Sequence, residues 1–506
     1  MMKGLQRIKF LNSKTLKIAK TQNGMLLFAR HLSVDAAQSY EQLPGPKSLP
    51  MIGSVYKYLP GGGYSMKLAT PTGMKMNRDY GPIVREQILP GVNLIRLFDP
   101  DDIETVFRQE GKHPNRPPIM PIKLYRERRG LVVGLSGENG EKWHKYRNLV
   151  QKEMLRPGLV SAYIPAQEQV ADDFVTRMRH LRRDNNEVPN FLLELYRFGC
   201  ESIGVVCFDQ RVGTLELEDN KEALEFIANV SSAMEHMHKS MFLVNFMKGG
   251  YEPKPFKDFC KVADQLLQYT EKCVIAADKG SGNDDSLLCK LLNTPNLSRM
   301  EAIVMISDLF GAAVDTTANT LSFILYHLAR NPGVQQKLYE EIMNTAPDGR
   351  PLNGKVMNEM SYLRAVIKES LRITPTAVPG TNRVLEKDVV LSGYHIPAGA
   401  NVLFHNDVIS RMPKYFEEPE RFMPERWLRD SRNTTSCPIH PFASLPFGHG
   451  PRMCIGKRFA EQEILLGMIK MLQKFEVQYH YEDIGQVVRM VNMPDKPLKF
   501  TFIDRK

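Results

Sequence analysis

Residues 447–456 read Phe447-Gly448-His449-Gly450-Pro451-Arg452-Met453-Cys454-Ile455-Gly456. They hold one cysteine in a glycine-rich turn, two positions after a cation. A cysteine is a metal ligand or nucleophile only as the thiolate, and the thiolate needs a reason to persist. Three reasons stay open: a metal, the N–H groups of the turn, and the positive end of a helix starting at Lys457. Gly448, Gly450 and Gly456 allow positive φ and close backbone approach. Phe447 can shield the sulfur, and Arg452 can pair with an anion beside a metal. A second constellation is Gly311-Ala312-Ala313-Val314-Asp315-Thr316-Thr317. Its small residues leave space on one face. Its threonines can bond back to the preceding turn and bend a helix. The product is a notch lined by the Asp315 carboxylate and the Thr316 hydroxyl.

These groups need rigid carriers. Ser298-Arg299-Met300-Glu301 is a capping box, so a long helix starts there. Its apolar pattern runs to about Leu328, and Asn331-Pro332-Gly333 stops it. Roughly thirty residues at about 1.5 Å each would cross the whole molecule. Residues 363–372 form an amphipathic helix, with Glu369 and Arg372 on one face. Trp143 and Arg147 stand at i and i+4 of another. Residues 83–86 and 92–97 alternate as paired strands. Helical spacing dominates from about Asp101 onward.

The turn matches every fixed position of Phe-x-x-Gly-x-Arg-x-Cys-x-Gly, and the chain thereby resembles the cytochrome P450 family. The resemblance implies a mainly α fold with a smaller β-rich lobe. It implies haem b (iron protoporphyrin IX) with Cys454 as the axial iron ligand beside Phe447. Arg452, Trp143, Arg147 and Arg383 would contact the propionates. Thr316 would orient dioxygen, and Asp315 would relay protons through water. Ala313 stands where many members carry glycine. Glu369 and Arg372 would form a structural triad with Arg421, from Pro419-Glu420-Arg421-Phe422. The reaction implied is insertion of one oxygen atom from O2 into a C–H bond. The run 312–319 looks most like the animal mitochondrial clan, which includes vitamin-D-type hydroxylases. By the same likeness Arg364, Lys368, Lys457 and Arg458 would dock an acidic mitochondrial two-iron, two-sulfur ferredoxin, fed by NADPH through ferredoxin reductase. Substrate contacts would come from residues 117–135, 230–250, 303–317, 376–383 and 489–494. The second of these holds Met234, Met237, Met241, Phe242, Phe246 and Met247. A large apolar substrate is expected: a sterol, secosteroid or foreign lipophile.

Composition fits this reading. The 506 residues are 42% hydrophobic and 25% charged, with seven scattered cysteines and no CxxC pair. That excludes a disulfide framework and a structural zinc site. No run approaches the roughly 18 apolar residues of a membrane span. Residues 1–34 hold seven Lys/Arg and no acid, which reads as a mitochondrial transit peptide with Arg30 as a cleavage landmark. Residues 35–50 are then a Pro-rich linker and 51–506 the catalytic domain. The placement expected is peripheral, on the matrix side of the inner membrane. The formal net charge of +10 falls to about +3 without the leader, so nucleic-acid binding has no support. Two alternatives stay open: a fold-mate isomerase or dehydratase needing no reductase, and a non-enzymatic haem-thiolate protein.

Overall fold

The computed structural model describes residues 18–20, 26–28, 37–218, 220–241, 243–244, 247, 250–280, 286–428 and 438–505. Most of the basic leader lies outside the described residues. So do Phe242, Phe246, 281–285 and the whole polar stretch 430–436. Within the leader, Ile18–Lys20 pairs antiparallel with Leu26–Phe28.

The expected strand pair forms as β1 (Ile83–Leu89) and β2 (Val92–Leu97), antiparallel, with Ile83 opposite Leu97. Later chain completes the sheet. β3 (Asn382–Val384) lies antiparallel to β4 (Asn401–Phe404), and β4 runs parallel to β2, giving the order β1-β2-β4-β3. This lobe has its own core, including Ile95, Leu97, Phe107, Val402 and Phe404.

The helical body supplies the larger core. Its site-bearing helices are α1 (Pro100–Gln109), α2 (Met120–Arg128), α3 (Gly140–Leu155), α4 (Phe191–Cys207), α5 (Lys221–Met241), α6 (Lys254–Gly280), α7 (Arg299–Arg330), α8 (Ser361–Ile373) and α9 (Lys457–Lys474). A hairpin of β5 (Gln486–Arg489) and β6 (Val491–Pro494) follows. The capping box is made at the start of α7. Ser298 Oγ accepts from Glu301 N at 3.2 Å, and Glu301 Oε2 accepts from Ser298 N at 2.7 Å. The helix spans 32 residues, about 48 Å at the usual rise. Most of its length is buried, including the polar Asp315, Thr317, Asn319, Thr320, Ser322 and His327. Asn331 ends it because Pro332 opens the next helix.

Candidate active site

The cysteine turn needs left-handed backbone. Gly448 (φ 70°) and Gly450 (φ 74°) supply it. A Cβ on Gly450 would stand 2.9 Å from Glu110 Oε2. Gly456 has φ −83°, so its contribution is space: a Cβ there would lie 4.0 Å from the Cys454 sulfur. Cys454 N donates to Phe447 O at 2.8 Å, and Lys457 Nζ lies 5.6 Å from the centre of the Phe447 ring. Cys454 is exposed. Desolvation is the largest influence on the thiol and raises its pKa, against the Gly456 N–H and the Arg147 and Lys457 charges. The turn and the cations therefore do not secure a thiolate. A cation bonded to the sulfur would.

Arginines gather near this turn. Arg452 donates through Nε to Pro114 O at 2.8 Å and through Nη2 to Asn139 Oδ1 at 2.6 Å. Its guanidinium lies 4.1 Å from the Trp143 ring centre. Arg383, facing inward from β3, pairs with Glu110 and donates to Thr381 Oγ1 at 3.0 Å. Arg147 on α3 is 6% exposed and donates to Gln151 Oε1 at 3.3 Å. Arg116 was not anticipated, and its buried Nε has no partner. Burial and then the charges of Arg116, Arg383 and Arg147 pull Arg452 down to about 9. Burial also lowers Arg116, Arg147 and Arg383. Four guanidiniums thus gather here, and among the described residues Glu110 is the carboxylate bonded to them. Added anions would offset their repulsion. Pro114 and Pro117 bracket Arg116 in extended chain, the one sequence signal that could have singled it out.

On α7 the Thr316 hydroxyl donates to Ala312 O at 2.9 Å and also lies 3.2 Å from Ala313 O. Ala312 is exposed, and a Cβ on Gly311 would meet nothing within 4 Å. Open space therefore adjoins the middle of an otherwise buried helix. Asp315 is 2% exposed, and burial raises it to about 6 against a hydrogen bond from Tyr196. Thr317 donates to Glu463 of α9, a fully buried acid that desolvation raises to about 7. This bond ties the notch helix to the helix that begins just after Cys454. At the other end of the notch, Asp308 of α7 pairs with Arg126 of α2 at 2.6 Å.

Glu369 and Arg372 of α8 make a two-point pair at 2.8 and 2.9 Å, both fully buried. The expected third member is corrected. The Arg421 side chain is exposed and pairs with Glu418 at 2.9 Å. It supplies only its backbone carbonyl to Arg372. Arg426 instead reaches Glu369 at 2.9 Å, joined by the Trp427 indole N–H at 2.8 Å. The reason is direction: Pro424–Trp427 forms a short 3-10 turn that aims Arg426 and Trp427 inward.

The four expected docking cations share no buried role. Lys368 and Arg458 are exposed. Arg364 bonds Asn358 Oδ1 at 2.8 Å, and Lys457 lies 4.0 Å from Glu461.

An exposed cysteine, clustered cations short of anions, and space against a notched helix suit a flat metal macrocycle carrying carboxylates. The comparisons agree. A family model described as Cytochrome P450 matches residues 43–502. Probable cytochrome P450 49a1 of Drosophila melanogaster is 35% identical over 493 residues, covering 92% of this chain and 83% of the relative. The mitochondrial 1,25-dihydroxyvitamin D(3) 24-hydroxylase of Rattus norvegicus is 33% identical, covering 92% and 89%. The mitochondrial sterol 26-hydroxylase of Homo sapiens is 32% identical, covering 84% and 83%.

Proposed function

The chain belongs to the cytochrome P450 family of haem-thiolate monooxygenases, and from that premise we propose that it is a mitochondrial hydroxylase of a large apolar substrate. The stoichiometry is substrate C–H, O2, NADPH and one proton giving the alcohol, water and NADP+. The electrons come through a ferredoxin reductase and a ferredoxin. Haem b, when bound, supplies the oxygen-activating chemistry. The observation that carries the reading is the pairing of an exposed Cys454 with four clustered arginines, of which Arg147 and Arg383 are buried and Arg116 and Arg452 half-buried.

In this reading Cys454 would ligate the iron, with Phe447 beside it in the turn. Arg452, Arg147 and Arg383 would hold the propionates, with Trp143 as the platform under Arg452. Thr316 keeps its hydroxyl at the open face of α7, its proton committed to Ala312 O. Asp315 holds the proton that oxygen reduction consumes.

Residues 1–34 act as the transit peptide, 35–50 as the linker and 51–506 as the catalytic domain. The mature protein works peripherally on the matrix side of the inner membrane. No helix among the described residues is long and apolar enough to cross a membrane. Relatives named as a sterol 26-hydroxylase and a vitamin D 24-hydroxylase support a sterol or secosteroid substrate.

The test is a spectral titration of the purified holoprotein with sterols, secosteroids and lipophilic drugs. A saturable haem shift, followed by oxygenated product with ferredoxin, its reductase and NADPH, is expected. Isomerised or dehydrated product formed without O2 uptake contradicts the reading.

A further inference from the structure

Two hydroxyls bond back along one face of α7. Thr316 Oγ1 donates to Ala312 O at 2.9 Å, and one turn later Thr320 Oγ1 donates to Thr316 O at 2.7 Å. The face runs from open space at Ala312 to the interior at Thr320, which is buried. Such bonds give a helix carbonyl a second donor and bend the helix. Thr320 has one hydroxyl hydrogen, and it goes to Thr316 O. In the 2.7 Å contact between Thr320 Oγ1 and Thr376 Oγ1 the donor is therefore Thr376.

Thr376 stands in the chain that leaves α8, and that chain is clamped from two sides. Thr374 Oγ1 donates to Ser370 O at 2.9 Å, so it accepts from His327 Nε2 of α7 at 3.1 Å. Asn492 of β6, 1% exposed, donates through N to Thr376 O at 2.9 Å and through Nδ2 to Pro375 O at 3.0 Å. Gln486 Oε1 of β5 accepts from the same Nδ2 at 2.6 Å. Met490, in left-handed backbone (φ 67°) between the two strands, packs against the cluster that holds Tyr125 of α2, Met237 of α5 and Phe256 of α6. A chain of contacts thus runs from the hairpin through Thr376 and Thr320 to the carbonyl of Thr316.

We propose that Thr320 is a positioning residue for the oxygen notch: its hydroxyl, held by Thr376, bonds the Thr316 carbonyl and so sets the turn on which the Thr316 hydroxyl stands. This rests on the role assigned above to Thr316. The loop after α8 and the β5–β6 hairpin then bear on the notch through one hydrogen bond, without touching it.

The probe is carbon monoxide on the reduced holoprotein, whose infrared stretch responds to the polar groups facing it. Thr316→Ala should move that band, because it removes the facing hydroxyl. Thr320→Val, similar in shape but without the hydroxyl, should move or split it with the Thr316 hydroxyl still present, and Thr320→Ser should restore the parent band. Thr376→Val should act in the same direction and serves if Thr320→Val does not fold. Amide exchange across residues 312–320 should quicken about fivefold in Thr320→Val, the effect of one lost hydrogen bond. Faster exchange with an unmoved band in Thr320→Val and Thr376→Val would show a merely structural hydroxyl and overturn the proposal while leaving Thr316 its role. An unmoved band in Thr316→Ala overturns that role itself, and this inference with it.

Discussion

At the scale of single residues, the account turns on which groups are buried without a matching charge. Arg426 and Arg421 make the sharpest contrast, because both follow a Pro-Glu dipeptide five residues apart. Arg426 is 4% exposed and shares Glu369 with Arg372. Arg426→Ala removes a buried charged donor to Glu369 and to the Glu417 and Glu418 carbonyls, and should cost about 2–3 kcal/mol in denaturant unfolding. Arg421→Ala breaks only an exposed pair and should stay within about 0.5 kcal/mol. Equal costs would contradict the assignment. The motif alone could not choose between two similar tripeptides. The neighbour could: Trp427 carries an N–H that a buried Glu can use, whereas Phe422 after Arg421 does not. The arginine cluster was legible at Arg147, Arg383 and Arg452 only through family likeness. Arg116 and Glu110 were missed because nothing in their own segment shows that chain nearly three hundred residues later folds onto it.

At the scale of elements, local rules were reliable where one segment satisfies itself. The capping box set the start of α7, and Pro332 set its end. The alternation at 83–86 and 92–97 gave the hairpin of β1 and β2, but β3 and β4 join that sheet from far along the chain. What could not be read is the contact between α7 and α9, made by Thr317 and Glu463. Glu463 has nothing but neutral partners, so burial holds it near 7 against an ordinary value of 4.5. A raised acid stabilises the fold fully below its unfolded pKa and loses that contribution as pH rises through the folded one. The parent protein should therefore lose up to about 3 kcal/mol between pH 4.5 and 8 from this group. Glu463→Gln, neutral throughout, should flatten that part of the stability profile and equal or exceed the parent at pH 8. A profile of unchanged slope would show that Glu463 is ionised in the fold.

At the scale of the whole molecule, function depends on two faces working through one centre. In the proposed reaction an electron donor would meet the surface near Cys454 and the substrate would lie against α7. Lys368, exposed on α8, and Arg458, exposed on α9, are the cations to test. Lys368→Glu should slow ferredoxin-driven reduction at low salt at least about tenfold, and the deficit should shrink as salt screens the encounter. Reduction by dithionite should not change. A rate independent of both salt and residue 368 removes this patch from the docking face. The proposed ligation of haem iron by Cys454 is tested most directly in the reduced, carbon-monoxide-bound spectrum. The unaltered holoprotein should show the long-wavelength band of a thiolate-ligated haem, and Cys454→Ser should lose it while still binding porphyrin. The same band persisting in Cys454→Ser, or never forming in the unaltered protein supplied with haem, would contradict the account.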